Sequence, residues 1–482
     1  MSGTAPISQY AVFKPLELLG PDQAAKIVTA SDVEDALRKR VAGLDLSDSY
    51  VSSVPFAEFH PANNEAPHPS RVPQEVFSIL SKNPAVAEKV RRALLAEIAR
   101  GGAIRWVGAD PTLSLSDTVP PPYSVPVAPD ADLFGTTDDA RRLLRAMPPV
   151  FPEKLNGKSV NGTSVNVVIV DAGLDKTMFG PGRPGHYAGG WKLDPLGPGL
   201  PDPPYPGMAR GNASLHAMMM AECVLAIAPE VRIFDFPMIP PPKIYDILSF
   251  VSAADRAYEN LLQDIAWFRG NNWFPGPWIL VNAWAVYDRR SEGSQLGDYT
   301  QNLAFGGKHW FIRQVEAAAA AGIDIVFCSG NCGQVCPDGR CGPDDYGPNR
   351  SIWGANAHRD VLTVGAVRVD GLWAGYSSEG EGAAGPNLNP QKPDLCAPAQ
   401  FIGTSGLYPT NTGTSAASGI AAGVVAALRT RWPDQVAVTP AALRDKLTAA
   451  ANQTAGAGWN RYLGHGILDA AKAYADMLAA FP

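Results

Sequence analysis

A serine hydroxyl is a poor nucleophile until a base takes its proton. A chain that uses one must bring a base, a group that orients the base, and donors for the developing oxyanion to one point. Ser415 is the candidate nucleophile. It stands in Gly413-Thr414-Ser415-Ala416-Ala417, ahead of Ser418-Gly419-Ile420-Ala421-Ala422-Gly423-Val424-Val425-Ala426-Ala427-Leu428. That run is almost wholly small or apolar, so the helix it predicts can be buried on all sides. Unpaired N–H groups and the dipole at the head of such a helix favour negative charge, where acyl transfer needs it. Thr414 or Ser415 can equally serve as a plain helix cap, so a catalytic reading depends on partners elsewhere. Three residue types that could be partners stand at defined places: Asp171 directly after Val165–Val170, His216 at the head of His216-Ala217-Met218-Met219-Met220-Ala221, and Asn331 after Ser329-Gly330. Each has a plainer alternative: a turn aspartate, a capping or packed histidine, a turn asparagine.

The elements that must position these residues follow from hydrophobic periodicity. Val165–Val170, Val231–Phe236, Ile279–Ala283, Ile323–Cys328 and Val361–Val367 read as strands, with helices near 216–226, 243–268, 309–321, 414–431, 439–450 and 467–480. This alternation predicts an α/β fold with a mostly parallel sheet and helices on both faces. In such sheets sites form at the carboxyl ends of strands, which is where Asp171 and Asn331 fall. The methionines beside His216 read as core filling.

Residues 1–150 read as a separate, mainly helical region. Ser31-Asp32-Val33-Glu34 is a capping box. Asn83-Pro84 opens a helix with Val86, Val90, Leu94 and Ile98 inward and Arg91, Arg92 and Arg100 on a solvated face, closed by Gly101-Gly102. Thr118–Pro129 holds five prolines and reads as a linker. A short helix over Asp138–Met147 leads to Pro148-Pro149, the expected boundary with a second domain over 151–482.

Composition narrows the function. A chain of 482 residues with 46% hydrophobic and 18% charged residues is ordinary globular protein, and a net charge of -7 offers no basic surplus for nucleic acid. No apolar run reaches membrane-spanning length; even Met218–Phe234 is broken by Glu222, Glu230 and Arg232. The first residues lack a basic start followed by an apolar stretch, so a cytoplasmic address is the expectation. Of six cysteines, Cys328, Cys332, Cys336 and Cys341 crowd one segment without paired C-x2-C spacing, which leaves disulfides, thiols and metal open. Asp338, Asp344 and Asp345 do not form a recognisable calcium loop, so no metal or other cofactor is expected.

Taken together, Asp171 in V-x-D-x-G, His216 before a small-residue helix, Asn331 in S-G-N-x-G and Ser415 in G-T-S-A-A resemble the subtilisin-like serine proteases, the subtilases. Ala226-Ile227-Ala228-Pro229-Glu230, Ala317–Gly322, Lys392-Pro393-Asp394 and Gly464-His465-Gly466-Ile467-Leu468-Asp469-Ala470 extend the resemblance over about 160–480. It implies that Ser415 attacks a peptide carbonyl, that His216 is general base and then acid, and that Asp171 orients His216. Asn331 would complete the oxyanion hole.

Departures from the family pattern are as informative. Its usual His-Gly-Thr-His reads His216-Ala217-Met218-Met219 here, and Asp-Thr/Ser-Gly reads Asp171-Ala172-Gly173. Neither change deletes a catalytic group. The strand that lines the substrate cleft in the family is Val281-Asn282-Ala283-Trp284-Ala285-Val286-Tyr287, so Asn282, Ala283, Trp284 and Ala285 are the expected substrate-binding residues. Bulky Trp284 and Val286 would then reshape the pocket. The expectation is a serine endopeptidase acting on protein or peptide, with residues 1–150 inhibiting, assisting folding or binding a regulator. A transpeptidase or cyclase using the same acyl-enzyme, and an inactive peptide-binding scaffold, are the alternatives.

Overall fold

The computed structural model describes residues 7–13, 33, 37–38, 49–53, 57–62, 76–81, 83–102, 104–115, 135–148, 151, 154–155, 158–179, 185–193, 205–209, 215–239, 251–403, 410–453, 456 and 458–482. The linker Thr118–Pro129, most of the capping box at 31–34 and the first residues of the helix expected from 243 lie outside them.

The described part of the N-terminal region, expected to be mainly helical, holds a sheet as well as helices. Strands β1 (Ile7–Phe13), β2 (Ser49–Ser53), β4 (Val76–Ser81) and β5 (Ile104–Ala109) form an antiparallel sheet in the order β2-β4-β1-β5. A further strand, β3 (Ala57–Pro61), lies between β2 and β4 in the chain but leaves this sheet. The helix expected from Asn83 is present as α1 (Pro84–Ala99), with the Asn83 side chain accepting from the Ala85 amide. Its Val90 and Leu94 pack on Phe77, Ile79 and Val107. Capped helices announce themselves locally, whereas β1 finds its partners 64 to 100 residues away, as in the pairings Ala11 with Phe77 and Ala11 with Val107. That is why the helix was legible and the sheet was not.

The opposite face of this sheet docks on the rest of the chain through Val12, Val76 and Trp106, which meet Ala304 and Trp310. Arg91, expected on a solvated face, reaches Asp298 at 3.5 Å. Next come β6 (Ser114–Leu115) and α2 (Thr137–Leu143), the latter opened by a capping box between Thr136 and Asp139.

The main sheet takes β7 (Asn166–Asp171), β8 (His186–Leu193), β9 (Arg232–Pro237), β10 (Trp278–Asn282), β12 (Asp324–Cys328), β13 (Leu362–Val367) and β14 (Leu395–Pro398); the two-residue β11 (Trp284–Ala285) stands apart. Its order is β14-β13-β12-β10-β7-β9-β8-β3. All pairs are parallel except β8 with β3, which is antiparallel. Val167 and Ile169 of β7 face α3 (Leu215–Leu225), α6 (Gly413–Arg431), α7 (Pro440–Ala450) and α8 (Ala470–Ala480). Val168 and Val170 face α4 (Val251–Gly270) and α5 (Trp310–Ala320). Burial on both faces explains the unbroken apolar run. Strand β8 escaped the sequence reading because Gly189, Gly190 and Lys192 interrupt its pattern.

Two contacts bring the site-bearing helices together. A Cβ on Gly419 of α6 would come within 2.8 Å of Cys223 Cβ, and one on Gly423 within 2.7 Å of the Val224 carbonyl. Small residues therefore let α6 lie directly against α3. On the other side Arg429 of α6 forms a buried two-pronged pair with Asp324 of β12, both bonds at 2.7 Å.

Candidate active site

Asp171 ends β7, His216 is the second residue of α3, and Ser415 lies in the first turn of α6. These three elements are neighbours, so residues 45 and 199 positions apart meet. His216 Nδ1 lies 2.7 and 2.8 Å from the two Asp171 oxygens, and His216 Nε2 lies 3.1 Å from Ser415 Oγ. A carboxylate can only accept, so Nδ1 carries the proton and donates, which leaves the Nε2 lone pair facing the serine hydroxyl. Asp171 and Ser415 are fully buried and His216 nearly so. Asp171 Oδ1 also accepts from the Ala172 amide at 2.6 Å, which sets the carboxylate plane in the absence of a hydroxyl at residue 172.

Asn331 follows β12 and reaches the same point through Thr414. Its Oδ1 accepts from the Thr414 amide at 3.0 Å and from Thr414 Oγ1 at 2.9 Å. With the oxygen held there, Nδ2 is the end turned away from Thr414. The Gly330 amide donates to Thr414 Oγ1 at 3.2 Å, so Thr414, which the sequence reading passed over as a cap, ties the Asn331 loop to the head of α6. Behind Asn331, its carbonyl accepts from the Asp338 amide at 2.9 Å. The loop carrying that amide is closed by a disulfide between Cys332 and Cys341. Cys336 is an exposed thiol, and Cys223 and Cys396 are buried.

The four residues expected to bind substrate lie at the end of β10 and in β11. Ala283 offers its carbonyl to Ser415 Oγ at 3.4 Å. Asn282 is buried, with Nδ2 donating to the Val326 carbonyl at 3.4 Å. Trp284 does not narrow a pocket: its ring is buried against Phe327 and Phe311, with centroids 4.8 and 5.7 Å away, and Val286 packs in the same cluster. Alternation along the strand turns residues 284 and 286 into the core while Ala283 and Ala285 face elsewhere. The edge of β11 is already paired, since β6 runs antiparallel to it with Leu115 opposite Trp284 and Ser114 opposite Ala285. Leu113 is buried beside Met238, Ile239 and Val251. No motif in the sequence marks this segment.

Of the acidic residues near the disulfide loop, Asp345 pairs with Arg289 at 2.6 Å, Asp338 with Arg340 at 2.8 Å and Asp344 with Arg350 at 3.9 Å. Among the described residues no group of three or more His, Cys, Asp or Glu is arranged to hold a metal ion.

Residues 284–466 match the sequence profile of the subtilase family. No curated protein sequence matches the chain. Among solved structures, fervidolysin from Fervidobacterium pennivorans, a keratinolytic enzyme related to subtilisin, aligns over 98% of this chain at 16% identity and a TM-score of 0.52. The chain spans 61% of that protein's length. A lanthipeptide protease aligns over 72% of this chain and 99% of its own at 15% identity, with a TM-score of 0.46. MycP1 from Mycobacterium smegmatis aligns over 76% and 89% at 20% identity, with a TM-score of 0.42. The family match takes in Asn331 and Ser415 but not Asp171 or His216, and the main body of this chain shares the α/β fold of a subtilisin-related enzyme.

Proposed function

We propose that the protein is a serine endopeptidase. The observation that carries this reading is the hydrogen-bonded line from Asp171 through His216 to Ser415, with Asn331 held beside the same serine. Ser415 Oγ attacks the carbonyl carbon of a peptide bond as its proton passes to His216 Nε2. The carbonyl oxygen becomes an oxyanion, stabilised by Asn331 Nδ2 and the Ser415 backbone N–H at the head of α6. Asp171 stabilises the imidazolium. The C–N bond then breaks, the leaving amine takes the proton from His216, and water releases the acyl group by the same steps in reverse order.

The N-terminal region acts in this reading as a tethered restraint on the cleft. Leu115 opposes Trp284, one residue from the carbonyl that faces Ser415 Oγ, so a substrate strand would compete with this segment for the same edge. The test is incubation of the protein with a peptide library, with and without an added amine, beside Ser415→Ala. Hydrolysed peptides from the wild type alone support an endopeptidase. Predominant amine adducts would replace hydrolysis by transpeptidation, and intact peptides throughout, including with Leu113→Asp to loosen the segment, would leave a binding scaffold.

A further inference from the structure

Strand β9 reads Arg232-Ile233-Phe234-Asp235-Phe236-Pro237, and Asp235 is wholly buried within it. A carboxyl group in such a place must be held by donors. Asp235 Oδ2 accepts from the Leu174 amide at 3.0 Å and from the Gly207 amide at 2.7 Å. These two amides belong to different loops. Leu174 sits three residues after Asp171, in the turn leaving β7, whereas Gly207 sits in the segment that precedes α3 and His216.

The same two loops are joined by two further hydrogen bonds, which together make one antiparallel bridge. The Lys176 amide donates to the Gly207 carbonyl at 2.9 Å and the Ala209 amide to the Leu174 carbonyl at 3.1 Å, the pair that sets Asp175 opposite Met208. Gly173 has φ +113°, which side chains other than glycine's rarely adopt, and a Cβ there would crowd Pro237 at 3.1 Å and Ala209 at 3.2 Å. Asp235 is therefore the side chain at the centre of the junction between the Asp171 turn and the approach to His216.

We propose that Asp235 is a positioning residue, whose carboxyl group clamps the turn carrying Asp171 to the loop leading into His216 and so fixes the hydrogen bond between those two side chains. This rests on the reading of Asp171, His216 and Ser415 as the catalytic line. The titratable groups whose charge bears on Asp235 are Asp171 from β7 and Tyr187 from β8. Burial foremost, and the charge of Asp171, push the carboxyl up to about 7 against the pull of the two amides. The clamp does not depend on charge, because a neutral carboxyl keeps an oxygen that accepts both N–H groups. A carboxamide keeps it too.

The test compares wild type with Asp235→Asn, Asp235→Leu and Asp235→Ser, each confirmed folded by its thermal transition. Two readouts are taken: the rate of Ser415 labelling by a fluorophosphonate, and the downfield NMR resonance of the proton between His216 Nδ1 and Asp171. The leucine and serine variants, which lose or cannot extend the acceptor, should label about 100-fold more slowly, as a misplaced catalytic group does. Their downfield resonance should shift or vanish, and the asparagine variant should restore both readouts. The serine variant serves if leucine does not fold. A folded leucine or serine variant with wild-type rate and resonance overturns the clamp, as does an asparagine variant as impaired as leucine. If the wild type itself fails to label, the protease reading falls, and the resonance alone decides the clamp on the same terms.

Discussion

Replacing Asp171 by asparagine keeps the shape of the side chain but turns the His216 tautomer over, because an amide nitrogen facing Nδ1 donates where the carboxylate accepts. Turnover should fall by about 10⁴ with little change in KM, read from steady-state kinetics on a cleaved peptide. In the proposed reading Asn331→Ala removes an oxyanion donor, and should lower kcat by about 10² to 10³ while KM stays within a few-fold. An Asn331→Ala enzyme with unchanged kcat would remove Asn331 from the oxyanion hole. Asp235 makes a pH prediction of its own. Its folded value of about 7 stands above the ordinary 3.8, so between those pH values the folded chain keeps a proton that the unfolded chain has lost. Its contribution to stability is complete below about pH 3.8 and is lost as pH rises through about 7. The melting temperature of wild type relative to Asp235→Asn should therefore fall from pH 4 to pH 7, and a flat difference would contradict the raised value.

Helix α6 carries the site only because it is small along its length. At Gly423 an added Cβ would press the Val224 backbone at 2.7 Å, and backbone cannot turn aside as a side chain can. Gly423→Val should cost about 1 to 3 kcal/mol, seen as a lowered denaturation midpoint, and should drag His216 away from Ser415. The disulfide loop has a similar role behind Asn331. Opening it with Cys332→Ser and Cys341→Ser frees the Asp338 amide from the Asn331 carbonyl, and kcat should drop by about tenfold with KM little changed. This is also the scale at which the sequence was most informative. Strands β7, β10, β12 and β13 and helices α3, α6 and α7 declare themselves by local pattern, and Asp171, His216, Asn331 and Ser415 stand at their ends. What remained hidden was set by contacts between distant segments. Trp284 turns inward because a strand alternates about a core that only the assembled fold supplies. Asp235 looks like an odd charge in an apolar run until the two loops it joins are side by side.

At the scale of the whole molecule, described residues of the first 115 are built into the main body at several places, three of which carry predictions or bear on the site. Strand β3 completes an edge of the main sheet, and its Phe59 lies among Trp191, Phe234, Phe268 and Phe274 with centroids 4.8 to 6.2 Å apart. Phe59→Ala should cost about 3 to 5 kcal/mol, measured by chemical denaturation, although residue 59 is far from Ser415 in the chain. At the second place, His309 lies buried under β5 with Nε2 donating to the Ala109 carbonyl at 2.8 Å, and burial pulls its value down to about 3 from 6.5. Below pH 6.5 the unfolded histidine binds a proton that the folded one refuses, so this contribution is lost as pH falls toward 3. Acid should therefore loosen the N-terminal region, seen as rising hydrogen exchange in β5, and His309→Gln should blunt that rise. The third place is β6 on β11, a pairing that in the proposed reading covers the cleft. Cutting the whole region away would remove core along with cover, so Leu113→Asp is the cleaner way to open the site.

The most direct test of the central claim is labelling of the full-length protein and of Leu113→Asp with a fluorophosphonate probe, beside Ser415→Ala, with the modified residue located by mass spectrometry. Labelling confined to Ser415, faster in Leu113→Asp and absent from Ser415→Ala, is the result predicted for an activated serine behind a tethered segment. A probe that leaves Ser415 unmodified in both folded proteins would contradict it.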